Sequence, residues 1–313
     1  MTLVFILFLL CTAIQLYWLF IFLTVSFESK TGDEHAGPAA LPEGVSVIVC
    51  AHDQLHNLRN LIPLLISQDY PVFEVIVVDD RSQDGTPDWL RHQQAAISNL
   101  KVLRISDVPQ GFNPKKYALT QGIASAQYEL LLLTDADCLP VSNSWIKNMK
   151  RCYQSQIEIV LGYSGYNQES GLLNKLIRYE TLLTAIQYLT RALKDRPYMG
   201  VGRNLSYRKS FFQKVGGLKE VMQITGGDDD LLVNKHANSL NTTCCLSREA
   251  VVKSIPKTSW KAYFRQKLRH LSVGKHYKNR DKWILGIFSV THIIFWSSFV
   301  SLLITQKTVS YTH

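Results

Sequence analysis

The chain has 313 residues, 46% of them hydrophobic and 19% charged, with a formal net charge of +9. That balance excludes a disordered chain and leaves room for one large or two small domains. The six cysteines, Cys11, Cys50, Cys138, Cys152, Cys244 and Cys245, form no Cys-x-x-Cys pair, which excludes a zinc ribbon or disulfide framework and suits reduced thiols in a cytoplasmic domain.

Residues 3–27 are almost wholly apolar, with Gln15 the one strongly polar side chain. The run is long enough to span a bilayer as a helix. No basic stretch precedes it and no clean cleavage site follows, so residues 1–27 read as a retained anchor rather than a signal peptide. Residues 28–44 carry Gly32, Gly37, Pro38 and Pro42 and read as a polar linker.

A domain begins at residue 45. Val45–Ala51 is rich in β-branched residues and predicts a strand, ending at His52 and Asp53. Leu55, Leu58, Leu61, Ile62, Leu65 and Ile66 then recur at helical spacing. Phe73–Val78 predicts a second strand, ending at Asp79 and Asp80, and Pro87 opens a helix. A third short strand is expected over Val102–Ile105. A helix follows over Lys115–Ala126, with Ala118, Leu119, Gly122 and Ile123 facing inward. The four leucines Leu130–Leu133 read as a strand buried on both faces, bounded by Asp135-Ala136-Asp137 and a turn closed by Pro140. Strands alternating with helices predict a doubly wound, mostly parallel α/β sheet.

Ligands of such sheets bind outside the carboxyl ends of the strands. Asp53, Asp79 with Asp80, and Asp135 with Asp137 stand at three of those ends. A bare Asp-x-Asp is more often a solvated acidic turn. Three acidic strand ends in succession favour one binding site, and a hard divalent ion holding a phosphate suits the carboxylates.

Beyond Trp145 the pattern changes. A strand is expected over 157–162, a long amphipathic helix over Leu172–Leu193, a loop entering a strand over Gly200–Tyr207, and a helical turn over Phe211–Val215. Asp228, Asp229 and Asp230 follow Gly226 and Gly227 and precede a short helix. The trio reads either as an acidic helix start stabilised by the macrodipole or as the carrier of a general base. Residues 257–282 hold nine Lys and Arg against Asp281 alone, just before an apolar run over 283–305 that is also long enough to span. Juxtamembrane basic residues mark the cytoplasmic side, a simpler account of the patch than nucleic acid. Residues 306–313 remain as a tail, short enough that further helices are expected beyond it. Gln266 and Arg269 lie three apart on one helix face, suited to a diphosphate or an acidic head group.

These motifs, in this order, resemble the family 2 glycosyltransferases of GT-A fold, in the membrane-anchored branch that includes cellulose, chitin and hyaluronan synthases. Val77-Val78-Asp79-Asp80-Arg81-Ser82-Gln83-Asp84-Gly85-Thr86 is similar to the family's VVDDxSxDGT. Thr134–Asp137 resembles its DxD, Gly227–Leu231 its ED segment, and Gln266–His270 its QxxRW. Two positions depart: Gly227 stands where Glu is usual and His270 where Trp is usual.

The resemblance implies an inverting transfer from a nucleotide sugar, UDP-linked by expectation, to a glycan or lipid-linked acceptor, by a catalytic domain over 45–256 extended by the basic segment 257–282. Asp53, Asp79 and Asp80 are expected around the nucleoside, with Lys115 or Lys116. Asp137 is the expected ligand of Mg²⁺ or Mn²⁺, and Asp135 a sugar or ribose contact. Asp228 is the expected base, with Asp229 the runner-up register. Gln266 and Arg269 are expected at the acceptor or diphosphate, with His270 beside them. The cell (inner) membrane is the expected site, with the catalytic domain cytoplasmic and the N-terminus outside. The competing readings are a nucleotidyltransferase or Mg²⁺-dependent phosphotransferase, and an inactive membrane-tethered partner of another synthase. The short anchoring argues against extrusion of a long polymer by this chain alone.

Overall fold

The computed structural model describes residues 2–28 and 44–310. The expected linker falls almost wholly outside these residues, as does the end of the expected tail. The chain forms two compact units, one on residues 44–276 and one on 2–28 with 277–310.

The second unit is a pair of helices, α1 (Thr2–Glu28) and α10 (Asn279–Ser310). Stretches of 22 and 27 residues in them are long and apolar enough to cross a membrane, and few of their side chains are covered by protein. Phe8 stacks on Phe295 and Trp18 meets Phe288 edge-on. Gln15 Nε2 donates to Thr291 Oγ1 at 3.0 Å, a polar tie of the kind that pins helix pairs in apolar surroundings.

The larger unit is a sheet covered by helices. Its parallel half comprises β1 (Val45–Ala51), β2 (Phe73–Asp80), β3 (Leu100–Ile105) and β4 (Leu130–Asp135), in the order β3-β2-β1-β4. Two helices show why the sheet is doubly wound. One face of β1, through Val45, Val47, Val49 and Ala51, joins the cluster formed with Leu58, Leu61, Ile62 and Leu65 of α2 (Leu55–Ile66). The other face meets α4 (Pro114–Ser125), where a Cβ on Gly122 would lie 2.8 Å from Val78 and 3.0 Å from Ile48. Only glycine lets this helix lie so close. Each aliphatic side chain buried this way contributes about 1.5–3 kcal/mol. Between these elements, α3 spans Thr86–Ala96.

Past β4 the sheet changes direction. The short β6 (Ile159–Leu161), β8 (Leu205–Arg208) and β9 (Thr242–Cys244) extend it in the order β4-β8-β6-β9, with β8 antiparallel to both neighbours. The four leucines of β4 are therefore parallel to β1 on one side only. Pro140, expected to close a turn, lies in β5 (Cys138–Pro140), which joins β7 (Ser164–Tyr166) and β10 (Val252–Ser254) in a second small sheet. The helices α5 (Trp145–Arg151), α6 (Leu172–Leu193), α7 (Lys209–Lys214), α8 (Asp230–His236) and α9 (Trp260–Gly274) complete the unit.

Asn204 ties the two sheets together. Its Oδ1 accepts from Trp145 Nε1 at 3.0 Å, and its Nδ2 donates to the carbonyls of Tyr163 and Ala250, each at 2.8 Å. The residue is fully buried. Asn204→Leu keeps the volume but removes three buried hydrogen bonds, at an expected cost of about 2–4 kcal/mol. Thermal melting of the detergent-solubilised chain checks this, and an unchanged melting temperature would remove Asn204 from the support of the fold.

Candidate active site

The parallel half of the sheet aims its carboxylates at one edge. In register, Ala51 pairs with Asp79 and Cys50 with Asp135, so the ends of β1, β2 and β4 coincide. Beyond β1 the chain turns through Asp53, in the left-handed region at φ +52°. The Asp53 N–H donates to Ser82 Oγ at 2.9 Å, and Asp53 Oδ1 accepts from the Gln83 N–H at 2.7 Å. Asp79 is fully buried; its Oδ1 accepts from the Ser82 N–H at 3.2 Å and its Oδ2 lies 3.8 Å from Arg104 Nε. Asp80 accepts from Arg81 Nε at 2.8 Å. His52 Nδ1 lies 2.5 Å from the Asp80 carbonyl oxygen, so this nitrogen donates. The result is a stitched cradle between β1 and β2, in which His52, Asp53 and Gln83 are the exposed members.

The second cluster is built by α4. Asn113 caps this helix, accepting from the Lys116 N–H at 3.3 Å, and Pro114 occupies the first turn. The two lysines that follow diverge. Lys116 is fully buried with its ammonium 2.6 Å from the Val221 carbonyl, and burial lowers its pKa. Lys115 turns to the strand ends, where its ammonium lies 2.9 Å from Asp135 Oδ1 and 3.2 Å from Asp228 Oδ2. Burial opposes the charge on both partners. The pairing outweighs it, raising Lys115 well above its usual range and, with Arg203 and Arg269 assisting, holding Asp135 below the usual carboxylate range.

Asp228 and Asp229 are not equivalent. Asp229 caps α8: its Oδ1 accepts from the Asp230 N–H at 2.8 Å and its Oδ2 from the Gly202 N–H. Burial and the neighbouring Asp228 raise its pKa. Asp228 has Lys115 as its partner. The preceding Gly227 lies at φ +74°, and a Cβ there would meet Leu231 at 2.7 Å and Val273 at 2.9 Å. A glutamate cannot take this backbone and space, which accounts for the glycine.

Asp135, Asp137 and Cys138 present ligand atoms within 4.8 Å of one another. Burial, with Asp135 and Asp137 nearby, pushes the Cys138 thiol well up, so it stays protonated and is a poor ligand. Two carboxylates suit a hard divalent ion. Asp135 already holds an ammonium, and Asp137 has none among the described residues, which leaves Asp137 the freer ligand.

On α9, Gln266 Nε2 lies 3.4 Å from Tyr166 Oη, while Arg269 and His270 are exposed. Partial enclosure of the ring and the cations Arg269, Lys267, Arg203 and Lys115 push His270 down to about 4, so it is neutral near pH 7. Sequence reasoning missed Arg203 and Tyr166. Arg203 stacks over the Tyr166 ring at 4.5 Å, and its backbone carbonyl accepts from Thr134 Oγ1 at 3.0 Å, beside the acidic end of β4. A lone arginine between Gly202 and a strand was the available signal.

A mostly parallel sheet extended by antiparallel strands, with acidic ends on β1, β2 and β4, defines a GT-A fold. Residues 46–216, more than half of the chain, match the model of glycosyl transferase family 2. The chain belongs to that family. It is 35% identical over 105 residues to glycosyltransferase AglE of Haloferax volcanii, covering 33% of each chain. It is 24% identical over 154 residues to a poly-β-1,6-N-acetyl-D-glucosamine synthase of Staphylococcus epidermidis, covering 46% of this chain and 35% of the relative. It thus spans about a third of the length of these curated relatives. In fold it is similar to the mannosyltransferase PcManGT of Pyrobaculum calidifontis, solved with GDP-Man and Mn²⁺, at TM-score 0.64 and 18% identity over 96% of this chain and 87% of that one.

The Lys115 pairing contributes to stability only while its carboxylates are ionised. With the Asp135 pKa depressed, that contribution is full above the ordinary carboxylate pKa and is lost as pH falls through the depressed value. Lys115→Met should therefore lower the melting temperature near neutral pH, and the deficit should shrink below about pH 4. Melting curves across pH in metal-free buffer check this. A deficit of constant size would assign the effect to the lysine stem instead.

Proposed function

We propose that this chain is a membrane-bound inverting glycosyltransferase. It would move a sugar from a nucleotide sugar, UDP-linked by preference, to a glycan or lipid-linked acceptor of the cell surface. Support comes first from the family, and then from one observation: Lys115 joins Asp135, beside the metal-suited Asp137, to Asp228. Donor-holding and proton-accepting carboxylates thus stand within the reach of one ammonium. The phosphotransferase alternative has no comparable observation behind it.

In this reading the cradle of His52, Asp53, Asp79 and Asp80 receives the nucleoside, and Asp135 meets the ribose or sugar. Asp137 would ligate Mg²⁺ or Mn²⁺, whose chemistry is to neutralise charge on the leaving diphosphate. Asp228 takes the proton of an acceptor hydroxyl as its oxygen attacks the anomeric carbon. The bond from that carbon to the phosphate oxygen breaks, and its electron pair leaves with the nucleoside diphosphate. Asp229 positions this segment through its two backbone hydrogen bonds. Gln266, Arg269 and a neutral His270 line the acceptor side. The apolar helices at both ends and the basic segment before α10 favour attachment to a membrane, with the catalytic domain cytoplasmic.

Nucleoside diphosphate release from a panel of UDP- and GDP-sugars, by membranes carrying the chain and Mn²⁺, tests the reading. Asp137→Asn should abolish the metal-dependent release. Asp228→Asn should slow transfer by about 10²–10⁴-fold while donor binding persists. No release from any donor, or release indifferent to Asp137, would overturn the proposal.

A further inference from the structure

The loop that enters β8 carries a cation near Asp135 and Asp137. Arg203 forms no ion pair among the described residues. Its Nη1 is buried without a hydrogen-bond partner, and its Nη2 reaches only the Ser164 carbonyl, at 3.5 Å. The guanidinium rests on the Tyr166 ring, and the Tyr166 hydroxyl lies within reach of Gln266. Burial opposes its charge; Tyr166, Cys138, Asp135 and Asp137 favour it and hold it above its usual range. A buried guanidinium with an unused N–H is costly unless an anion completes it.

The strand order says which anion. The nucleoside cradle lies at β1 and β2, the Asp135–Asp137 turn follows at β4, and Arg203 sits at the start of β8, the next strand. A nucleotide sugar laid along these ends puts its base first, its diphosphate at β4, and its sugar-bearing end toward β8. We propose that Arg203 donates its free Nη1 N–H to the distal phosphate of the donor's diphosphate, the phosphate whose oxygen departs from the anomeric carbon. This rests on the nucleotide-sugar reading above and adds a residue to it. When the carbon–oxygen bond breaks, its electron pair stays on that phosphate. Arg203 stabilises the added charge through a charge-assisted hydrogen bond and transfers no proton. The Tyr166 face orients the planar fork, so the site is built for arginine rather than lysine.

The side chain is separable from the fold. The turn is held by the Arg203 carbonyl on Thr134, the Gly202 N–H on Asp229 and the Asn204 side chain, none of which needs the guanidinium. The test measures binding of UMP, UDP, GMP and GDP, each with Mn²⁺, to the full chain in detergent by calorimetry, alongside melting temperatures. Arg203→Met should weaken the tighter-binding diphosphate by about tenfold or more and leave its monophosphate within about twofold. Arg203→Lys, which keeps the charge without the fork, should show the same selectivity with a smaller loss, and serves if Arg203→Met does not fold. Equal losses for mono- and diphosphate would assign Arg203 to the fold and overturn the proposal. So would undiminished diphosphate binding with weakened transfer, which would place the arginine on a phosphate of the acceptor. A native chain that binds none of the four nucleotides would instead sink the nucleotide-sugar reading, and this assignment with it.

Discussion

An ammonium held between two carboxylates is the constraint on which the rest of this site depends. Parallel strands that start in register must end together, so the pairing of β1 with β2 and β4 collects acids at one edge. Like charges so placed repel, and the repulsion grows as water is excluded. Lys115 offsets it by reaching Asp135 and Asp228 at once. Its position follows from the cap and proline that fix where α4 begins. Had the helix begun one residue later, Lys116 would stand where Lys115 now meets the acids, and Tyr117 would fall in the buried place where the Lys116 ammonium now meets a carbonyl.

The antiparallel turn of the sheet completes the edge. Because β8 runs against β4, its beginning, not its end, lies beside Asp135. Leu205 pairs with Leu133, so Gly202 and Arg203 overhang the Asp135–Asp137 turn. One short segment thereby holds Asp229 through a backbone N–H and brings a guanidinium toward the acids. The strand β6, parallel to β4, delivers the chain to Tyr166 on the same side.

That geometry also explains what was legible in the sequence. The strand at Val45–Ala51 and the helix at Leu172–Leu193 were readable to the residue, since β-branched runs and helical periodicity are local signals. The inward face of α4, with Ala118, Leu119, Gly122 and Ile123, was readable for the same reason. The acidic strand ends were readable because parallel sheets put ligands there. The short strands β5, β7 and β10 were not, because three residues carry no periodicity. Arg203 was not, because its role depends on a strand pairing reversed in direction, which no local pattern encodes. Likewise, nothing in Lys115-Lys116 says which lysine points inward until the phase of the helix is known.

The two departures from the family pattern have different physical origins. At Gly227 the left-handed backbone and the crowding of Leu231 and Val273 exclude any side chain, so glycine is demanded by the path that carries the chain into Asp228. The loss of a glutamate there is the cost of a tighter turn rather than of the carboxylate that follows it. At His270 the side chain is exposed and the setting is electrostatic. A ring among Arg269, Lys267, Arg203 and Lys115 gains nothing from a second charge, and the imidazole stays neutral. A neutral ring that can donate and accept hydrogen bonds is a different surface from an indole, which only donates. The exposed face of α9 is therefore more polar there than the family motif alone would make it, while the acids at the ends of β1, β2 and β4 keep their places.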